Sequence, residues 1–468
     1  IPNGDTITGI VAHSDMTHTG QFVSPNPMVN QLQHNIEWGQ RGNYLEIPTD
    51  CPQRDERLGW MGDAQVFIRT GAYNFDIAAF MTKWIVDVVD GQSAEGCFPD
   101  VAPRGAHNVD GAPAWADAGI ICPWTMYLCY GDTRILDRHY DSMARFIQYQ
   151  LDGSKDFIRR ERLNNNYGDW LNNKDDSVKE LIATAFFAYS TDLMSRIARV
   201  LGKTGDVTKY QNLFHQIREA FTRTFWRQDG TLEGDTQTSY ILAIYFNLLH
   251  EQDRRTAADR LVHLIEKRDW HLSTGFMGCS FINLVLSQIG RSDIAYRLLL
   301  NDTYPSWGYT IRYGATTMWE RWDGWTHDKG FQDPGMNSFN HYSFGAVGDW
   351  LYRHVAGIDL HPDTPAYRQF IIKPELGGDF PFANANYDSI QGEIASSWRI
   401  RHDTLEMSVT VPPNCTALVY VPTKYPTGIT ESGGPVSNAP YVTFVRMEGE
   451  SAIYHVDSGR YLFTSPLA

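Results

Sequence analysis

The sequence predicts a mainly helical protein, an (α/α)6 toroid of helical hairpins followed by an antiparallel β-sandwich. Three observations carry this prediction. From Asn26 to about residue 357, apolar residues recur every three or four positions in successive segments. Short turns such as Tyr130-Gly-Asp-Thr133 join those segments, which favours antiparallel neighbours. Beyond Ile358 the period changes to two, with turn signals roughly every 8–12 residues.

Taken in order, Thr6-Ile-Thr-Gly-Ile-Val-Ala12 reads as a short strand. Residues 1–20 are expected to be a β segment left from a preceding domain. Helical patterns then lie near 26–41, 60–74, 76–90, 114–130 and 133–150. In the next, Ser177-Val-Lys-Glu180 has the form of a capping box and Gly202 of a stop. Between them Ile182, Phe186, Tyr189, Leu193, Ile197 and Val200 form one stripe. Another helix starts at Asp206, with Tyr210, Leu213, Ile217 and Phe221 in phase. Further segments lie near 236–249, 253–268, 277–290, 291–302 and 339–357. About twelve helices suit six hairpins, although an irregular bundle would give the same count. No repeat of fixed length supports a solenoid. The toroid is therefore expected over 21–357.

The sandwich is expected over 358–468, after a break at His361-Pro-Asp-Thr-Pro365. There Ile390, Gly392, Ile394, Ser396, Trp398 and Ile400 alternate with polar neighbours, and Leu405, Met407, Val409 and Val411 do the same. Pro412-Pro413-Asn414 makes a turn, and further strands fit 417–421, 441–446, 451–456 and 460–464.

The bulk properties exclude several functions. Net charge is −15 with no basic run, so nucleic acid is not an expected partner. No apolar run reaches the roughly 20 residues that span a bilayer, so no membrane partner is expected. Neither compartment nor oligomeric state is legible. The six cysteines contain no C-x-x-C pair, and no metal or other cofactor is expected. Cys122 and Cys129, one heptad apart, fit buried free thiols.

The densest chemistry lies in Asp50-Cys-Pro-Gln-Arg-Asp-Glu-Arg-Leu-Gly-Trp-Met-Gly-Asp63, which gathers Asp50, Asp55, Glu56 and Asp63 around Arg54 and Arg57. A solvated helix start with an acidic first turn would look similar. Trp60 and the two glycines speak instead for a shaped pocket. In Ala315-Thr-Thr-Met-Trp-Glu-Arg-Trp-Asp-Gly-Trp325, Glu320 stands among three tryptophans. His341 follows near a helix start, where a capping or packing histidine is the commoner case. Ala114-Trp-Ala-Asp117 and Tyr167-Gly-Asp-Trp170 each pair an aromatic with a carboxylate, which equally describes a buried Trp beside a capping Asp. In a hairpin toroid, alternate loops gather on one face, so these termini can converge on one cleft. Carboxylates among aromatics suit glycoside hydrolysis. One carboxyl protonates the leaving oxygen, another stays ionised, and indoles stack on the sugar. Neither a serine-nucleophile motif nor a phosphate-binding glycine loop is present.

The run from Asn43 through Asp50-Cys-Pro-Gln-Arg-Asp-Glu-Arg-Leu-Gly-Trp-Met-Gly-Asp63 to Phe67 resembles the signature of the α-L-rhamnosidases of glycoside hydrolase family 78. The resemblance continues through His13-Ser-Asp, Asn26-Pro, Ala114-Trp-Ala-Asp117, Gly168-Asp-Trp170, Thr274-Gly-Phe-Met-Gly278, Thr317-Met-Trp-Glu-Arg-Trp322 and Asn340-His341, and covers nearly the whole chain. It implies an (α/α)6 barrel followed by a β-sandwich, and inverting release of terminal α-L-rhamnose from rhamnose-containing glycosides. It implies Glu56 as general acid and Glu320 as general base, with carboxyls roughly 6.5–9.5 Å apart. It further implies that Asp50, Arg54, Asp63 and His341 bind sugar hydroxyls and that Trp60, Trp115 and Trp170 line the pocket. Asp55 is then a structural or pKa-setting neighbour. Family members usually carry N-terminal β domains, sometimes with a calcium-dependent module, and this chain begins after them, so calcium is not implied.

Two other classes fit parts of the pattern. A lyase on the same scaffold, cleaving a rhamnosyl-uronate linkage, would leave an ultraviolet-absorbing product. An inactive carbohydrate-binding fragment would be credible if Glu56 or Glu320 were missing, and both are present.

Overall fold

The computed structural model describes residues 4, 6–105, 109–163 and 165–467. Its helices are α1 (Pro27–Asn43), α2 (Met61–Asn74), α3 (Ala78–Asp90), α4 (Ala118–Tyr130), α5 (Thr133–Asp152), α6 (Lys179–Val200), α7 (Thr204–Phe225), α8 (Gln237–Tyr245), α9 (Glu251–Lys267), α10 (Phe276–Gln288), α11 (Ser292–Leu299) and α12 (Trp307–Arg312). A closing helix over 343–355 passes from 3-10 through α to π geometry.

Burial sorts these helices into two rings. In α2, α8 and α10 nearly every residue is buried, whereas α9 buries only Ala257, Leu261 and Ile265 along one stripe. A helix apolar or small all round belongs inside, and one with a single stripe belongs outside. Contacts agree. Helix α2 packs on α4, α4 on α6, α6 on α8, α8 on α10, α10 on the closing helix, and the closing helix on α2. That cycle is the inner ring of a toroid. The inner helices run the same way, so their N-termini share one end.

Local chemistry explains most boundaries. Gly131 adopts φ 72°, the left-handed conformation that glycine tolerates, and Asp132 caps α5 by accepting from Arg134 N–H. Gly202 likewise ends α6 at φ 70°. The capping box expected at Ser177 does not form. Val178 takes the cap position, and Ser177 Oγ instead bonds Thr236 Oγ1 at 2.6 Å, tying α6 to α8. Helix α4 starts four residues later than expected because Asp117 accepts from Ala114 N–H and holds that segment as a turn. Helix α12 was not foreseen.

The strand expected at 6–12 is absent. Ile7, Ile10 and Val11 are exposed, with no neighbouring strand to bond. The first strand is Gly20–Val23, which pairs antiparallel with Phe382–Ser389, far along the chain. It is the edge of a seven-stranded sheet that continues through Gly392–Arg401, Thr404–Val411, Gly459–Pro466, Thr430–Glu431 and Gly434–Pro435. A five-stranded sheet runs Val442–Glu448, Ser451–Val456, Thr416–Pro422, Gln369–Ile372 and Ile358–Leu360. Pairing is antiparallel except between Gln369–Ile372 and Thr416–Pro422, which run parallel. The toroid and the sheets share one core. Trp398 Nε1 donates to Val355 O at 2.8 Å and Ser396 Oγ to Ala356 O at 2.6 Å, so the sheet caps the free carbonyls of the closing helix. All six cysteines are free and buried.

Candidate active site

The N-terminal ends of the inner helices surround a small cavity of about 80 Å³. Its lining includes Asp50, Arg54, Glu56, Trp60, Asp63, Trp115, Trp170, Glu320 and His341, together with Tyr167, Phe276 and Met336. All nine candidate residues therefore meet in one place. A larger cavity of about 350 Å³ lies toward the opposite ends of the same helices and contains none of them.

The loop from Asp50 to Trp60 is closed by its own backbone. Asp50 N–H donates to Leu58 O, and Leu58 N–H donates to Asp50 Oδ1 at 2.8 Å. This turns Arg54 and Glu56 inward, while Asp55 points to solvent and lies 3.8 Å from Arg57. Asp55, expected as a structural or pKa-setting neighbour, is therefore fully exposed on the outer side of this loop. Asp63, in the first turn of α2, accepts from His341 Nε2 at 3.0 Å and Ser343 Oγ at 2.8 Å. Glu320 and His341 come from two adjoining segments. Glu320 N–H donates to Ser338 O, and His341 N–H donates to Met318 O. Of the three tryptophans around Glu320, none lines the cavity. Trp322 stacks on Phe344 and Trp319 meets Phe339 edge-on, so both are packing residues.

Arg54 joins the carboxylates. Its Nη1 donates to Glu320 Oε2 at 3.0 Å, and its Nη2 to Glu56 Oε2 at 2.5 Å and to Glu320 Oε1 at 3.3 Å. One guanidinium nitrogen thus holds an oxygen of each glutamate, leaving no room for a water between those two oxygens. Glu320 is buried, but the Glu56 side chain is 31% exposed, so Glu56 is the freer of the two to turn aside.

Burial pushes the Asp50 carboxyl up to about 7; His341 opposes this, while the negative charges of Glu56 and Asp63 add to it. His341 moves the other way. Burial alone would discharge it, but the charge and hydrogen bond of Asp63 hold it up at about 9. Its Nδ1 is buried without a hydrogen-bond partner among the described residues, leaving a donor for a ligand. Asp50, Cys51 and Glu56 place ligand atoms within 4.8 Å of one another. The Arg54 guanidinium already neutralises that cluster, and burial pushes the Cys51 thiol up, so the group suits a cation poorly.

One wall is aromatic. Tyr167 touches Trp60 at 5.8 Å, Trp115 at 4.6 Å and Trp170 at 5.8 Å between ring centroids, and its hydroxyl donates to Asp100 Oδ2 at 3.1 Å. Phe276 lies 5.2 Å from the His341 ring. A Cβ on Gly62 would overlap the Trp115 indole, so glycine lets that ring lie against α2. Asp169 sets the neighbouring wall. It accepts from Gly275, Met277 and Gly278 N–H and from Thr238 Oγ1, capping α10 beside Trp170. Asp117 accepts from Gln150 and Ser190 and anchors the turn bearing Trp115. These two aspartates are structural supports. Tyr167, Phe276 and Met336 were missed as site residues. Tyr167 and Phe276 do fall inside motifs already noted, next to glycines.

Two family models match the chain. Residues 17–355 match the bacterial alpha-L-rhamnosidase 6 hairpin glycosidase domain, and residues 357–434 match the bacterial alpha-L-rhamnosidase C-terminal domain. An alpha-L-rhamnosidase of Streptomyces avermitilis is 45% identical over 463 residues, covering 99% of this chain and 44% of that protein. One of Formosa agariphila is 39% identical over 470 residues, covering 99% of this chain and 50% of that protein. The chain thus spans half or less of the length of these relatives. Among solved structures, Streptomyces avermitilis alpha-L-rhamnosidase complexed with L-rhamnose superposes with a TM-score of 0.92 at 45% identity, over 97% of this chain and 42% of that one. The alpha-L-rhamnosidase from Dictyoglumus thermophilum gives 0.92 at 33% identity, over 99% and 52%.

Proposed function

The chain belongs to the bacterial α-L-rhamnosidase family, and from that premise we propose that it hydrolyses terminal α-L-rhamnosides with inversion. The observation that carries the reading is the pair Glu56 and Glu320, brought to one aromatic-walled cavity and joined through Arg54. Trp60, Trp115, Tyr167 and Trp170 stack on or enclose the sugar ring. Asp50, Arg54, Asp63 and His341 take its hydroxyls. A hydroxyl that takes over Arg54 frees Glu56 to move toward the glycosidic oxygen. This widens the gap to the roughly 6.5–9.5 Å that an attacking water needs. Glu56 then protonates the leaving oxygen. Glu320, buried and held by Arg54, removes a proton from the water that attacks C1 from the opposite face.

Following the sugar product of 4-nitrophenyl α-L-rhamnoside by NMR tests the reading. The β anomer should appear first and then mutarotate. Glu56→Gln and Glu320→Gln should each lower kcat by about 10²-fold or more, with thermal stability near that of the parent. A Glu320→Gln variant that kept a near-normal rate would remove Glu320 from the base role.

A further inference from the structure

Resting on that reading, the site poses a question about the proton. Glu56 is held by a guanidinium at 2.5 Å, and a carboxylate in an ion pair has a cation to neutralise rather than a proton to give. A general acid needs the proton before the sugar's bond breaks.

Asp50 is placed to hold it. Its side chain is 3% exposed. One oxygen, Oδ1, closes the loop by accepting Leu58 N–H. The other, Oδ2, is buried with no hydrogen-bond partner among the described residues, and Arg54 Nη2 stays 3.9 Å away. A buried, unpartnered carboxylate oxygen is costly, and protonation removes the charge. A carboxyl oxygen of Asp50 also lies within 4.8 Å of one of Glu56, close enough for one water or a small rotation to connect them.

We propose that Asp50 stores the proton for the acid, holding it on Oδ2 while Glu56 rests on Arg54 and passing it to Glu56 when a bound sugar takes Arg54 over. In that step the Asp50 O–H bond breaks and a Glu56 O–H bond forms, and Asp50 becomes the carboxylate facing Arg54. The glycosidic bond then breaks, its oxygen takes the Glu56 proton, and the water proton ends on Glu320. Loss of that proton to solvent and uptake of one by Asp50 restore the resting state.

The groups facing Asp50 agree with this role. Cys51, Glu56 and Arg54 come from its own loop, Asp63 from α2, and Glu320 and His341 from the segments opposite. Burial and the acids Glu56 and Asp63 favour the neutral form, and His341 and a hydrogen bond with the Cys51 thiol oppose it.

Asp50→Asn separates storage from structure, because asparagine can still accept the Leu58 bond but cannot carry the proton. It should lose at least about tenfold more kcat on methyl α-L-rhamnoside than on 2,4-dinitrophenyl α-L-rhamnoside, whose leaving group departs without a proton. The high-pH limb of its rate profile should move down by about one unit on the methyl substrate, since one charge partner changes. Asp50→Glu should restore much of both. A residue that only shaped the loop or bound a hydroxyl would lower both substrates alike, and that result would overturn the proposal. Carboxyl ¹³C NMR of the wild type gives a second measurement that needs no turnover. One aspartate carboxyl should titrate near pH 7 and be missing from Asp50→Asn. If every aspartate titrates in the ordinary range, Asp50 is no proton store. If the wild type cleaves neither rhamnoside, the hydrolase reading falls, and the titration still decides the state of Asp50.

Discussion

The two ends of the inner helix ring carry the same residue types in different proportions. At the N-terminal end, the carboxylates of Asp50, Glu56, Asp63 and Glu320 face Arg54 and His341. Toward the other end, Asp349 and Asp359 face Arg69 and Arg353 with every charge matched. Arg353 lies 2.9 Å from Asp349 and 3.0 Å from Asp359, Arg69 lies 3.6 and 3.4 Å from the same pair, and Arg69 also donates to Tyr73 and Tyr367 hydroxyls. The consequence appears in the acids. Burial acts on both Asp50 and Asp359, but Arg353 and Arg69 overcome it at Asp359, which lies below its ordinary value, while Asp50 lies above. A matched network spends its charges on itself, and an unmatched one keeps some for a ligand. Cavity size misleads here, since the matched end has the larger void.

Breaking the matched end should have the largest effect on stability. Arg353→Met leaves the buried Asp349 and the partly buried Asp359 with Arg69 alone and should cost about 2–3 kcal/mol, measured by denaturant unfolding, with kcat of the folded fraction close to the parent. An unchanged midpoint would mean that this network is not the structural counterpart of the acid site. A smaller effect should come from the His341–Asp63 pair. The folded-state value of His341 is raised to about 9. Its contribution to stability is therefore full below the unfolded value of about 6.5 and is lost as pH rises through 9. Between about pH 6 and pH 10 the wild-type Tm should fall more steeply than that of His341→Asn, and parallel curves would contradict the pairing. The smallest change is Gly62→Ala. Alanine favours the helix by up to about 1 kcal/mol but forces the Trp115 ring outward. KM for an aryl rhamnoside should rise several-fold with little change in kcat, and a KM equal to the parent's would show that the ring does not bear on the sugar.

Much of the helical ring was legible because its outer helices advertise a stripe and its turns carry glycine and capping aspartate. The sheet region was read less completely. Phe382–Ser389 alternates Ala383, Ala385 and Tyr387 with asparagines, and alanine against asparagine gives too little contrast to show a period of two. Ile358–Leu360 is too short to show one. The exposed Ile7 and Ile10 misled for the opposite reason, since β-prone residues make a strand only where an edge exists to pair with. In the site, the acidic run and the Trp-carboxylate pairs could be picked out by composition. Their mutual geometry could not, because the Arg54–Glu320 contact spans 266 positions. The solvent-facing side chain of Asp55, beside the inward Arg54 and Glu56, was equally hidden, as it depends on how the 50–58 loop closes.

The strand Gly20–Val23 has a mechanical consequence. It leads into α1 yet is hydrogen-bonded to Phe382–Ser389, beyond the closing helix. The segment that enters the ring is thereby stitched to a strand that follows the ring's exit, so the first hairpin cannot peel away without first tearing that seam. Limited proteolysis should find the ring and the sheets failing in one cooperative event, and a cut that frees the seam should loosen the whole cylinder.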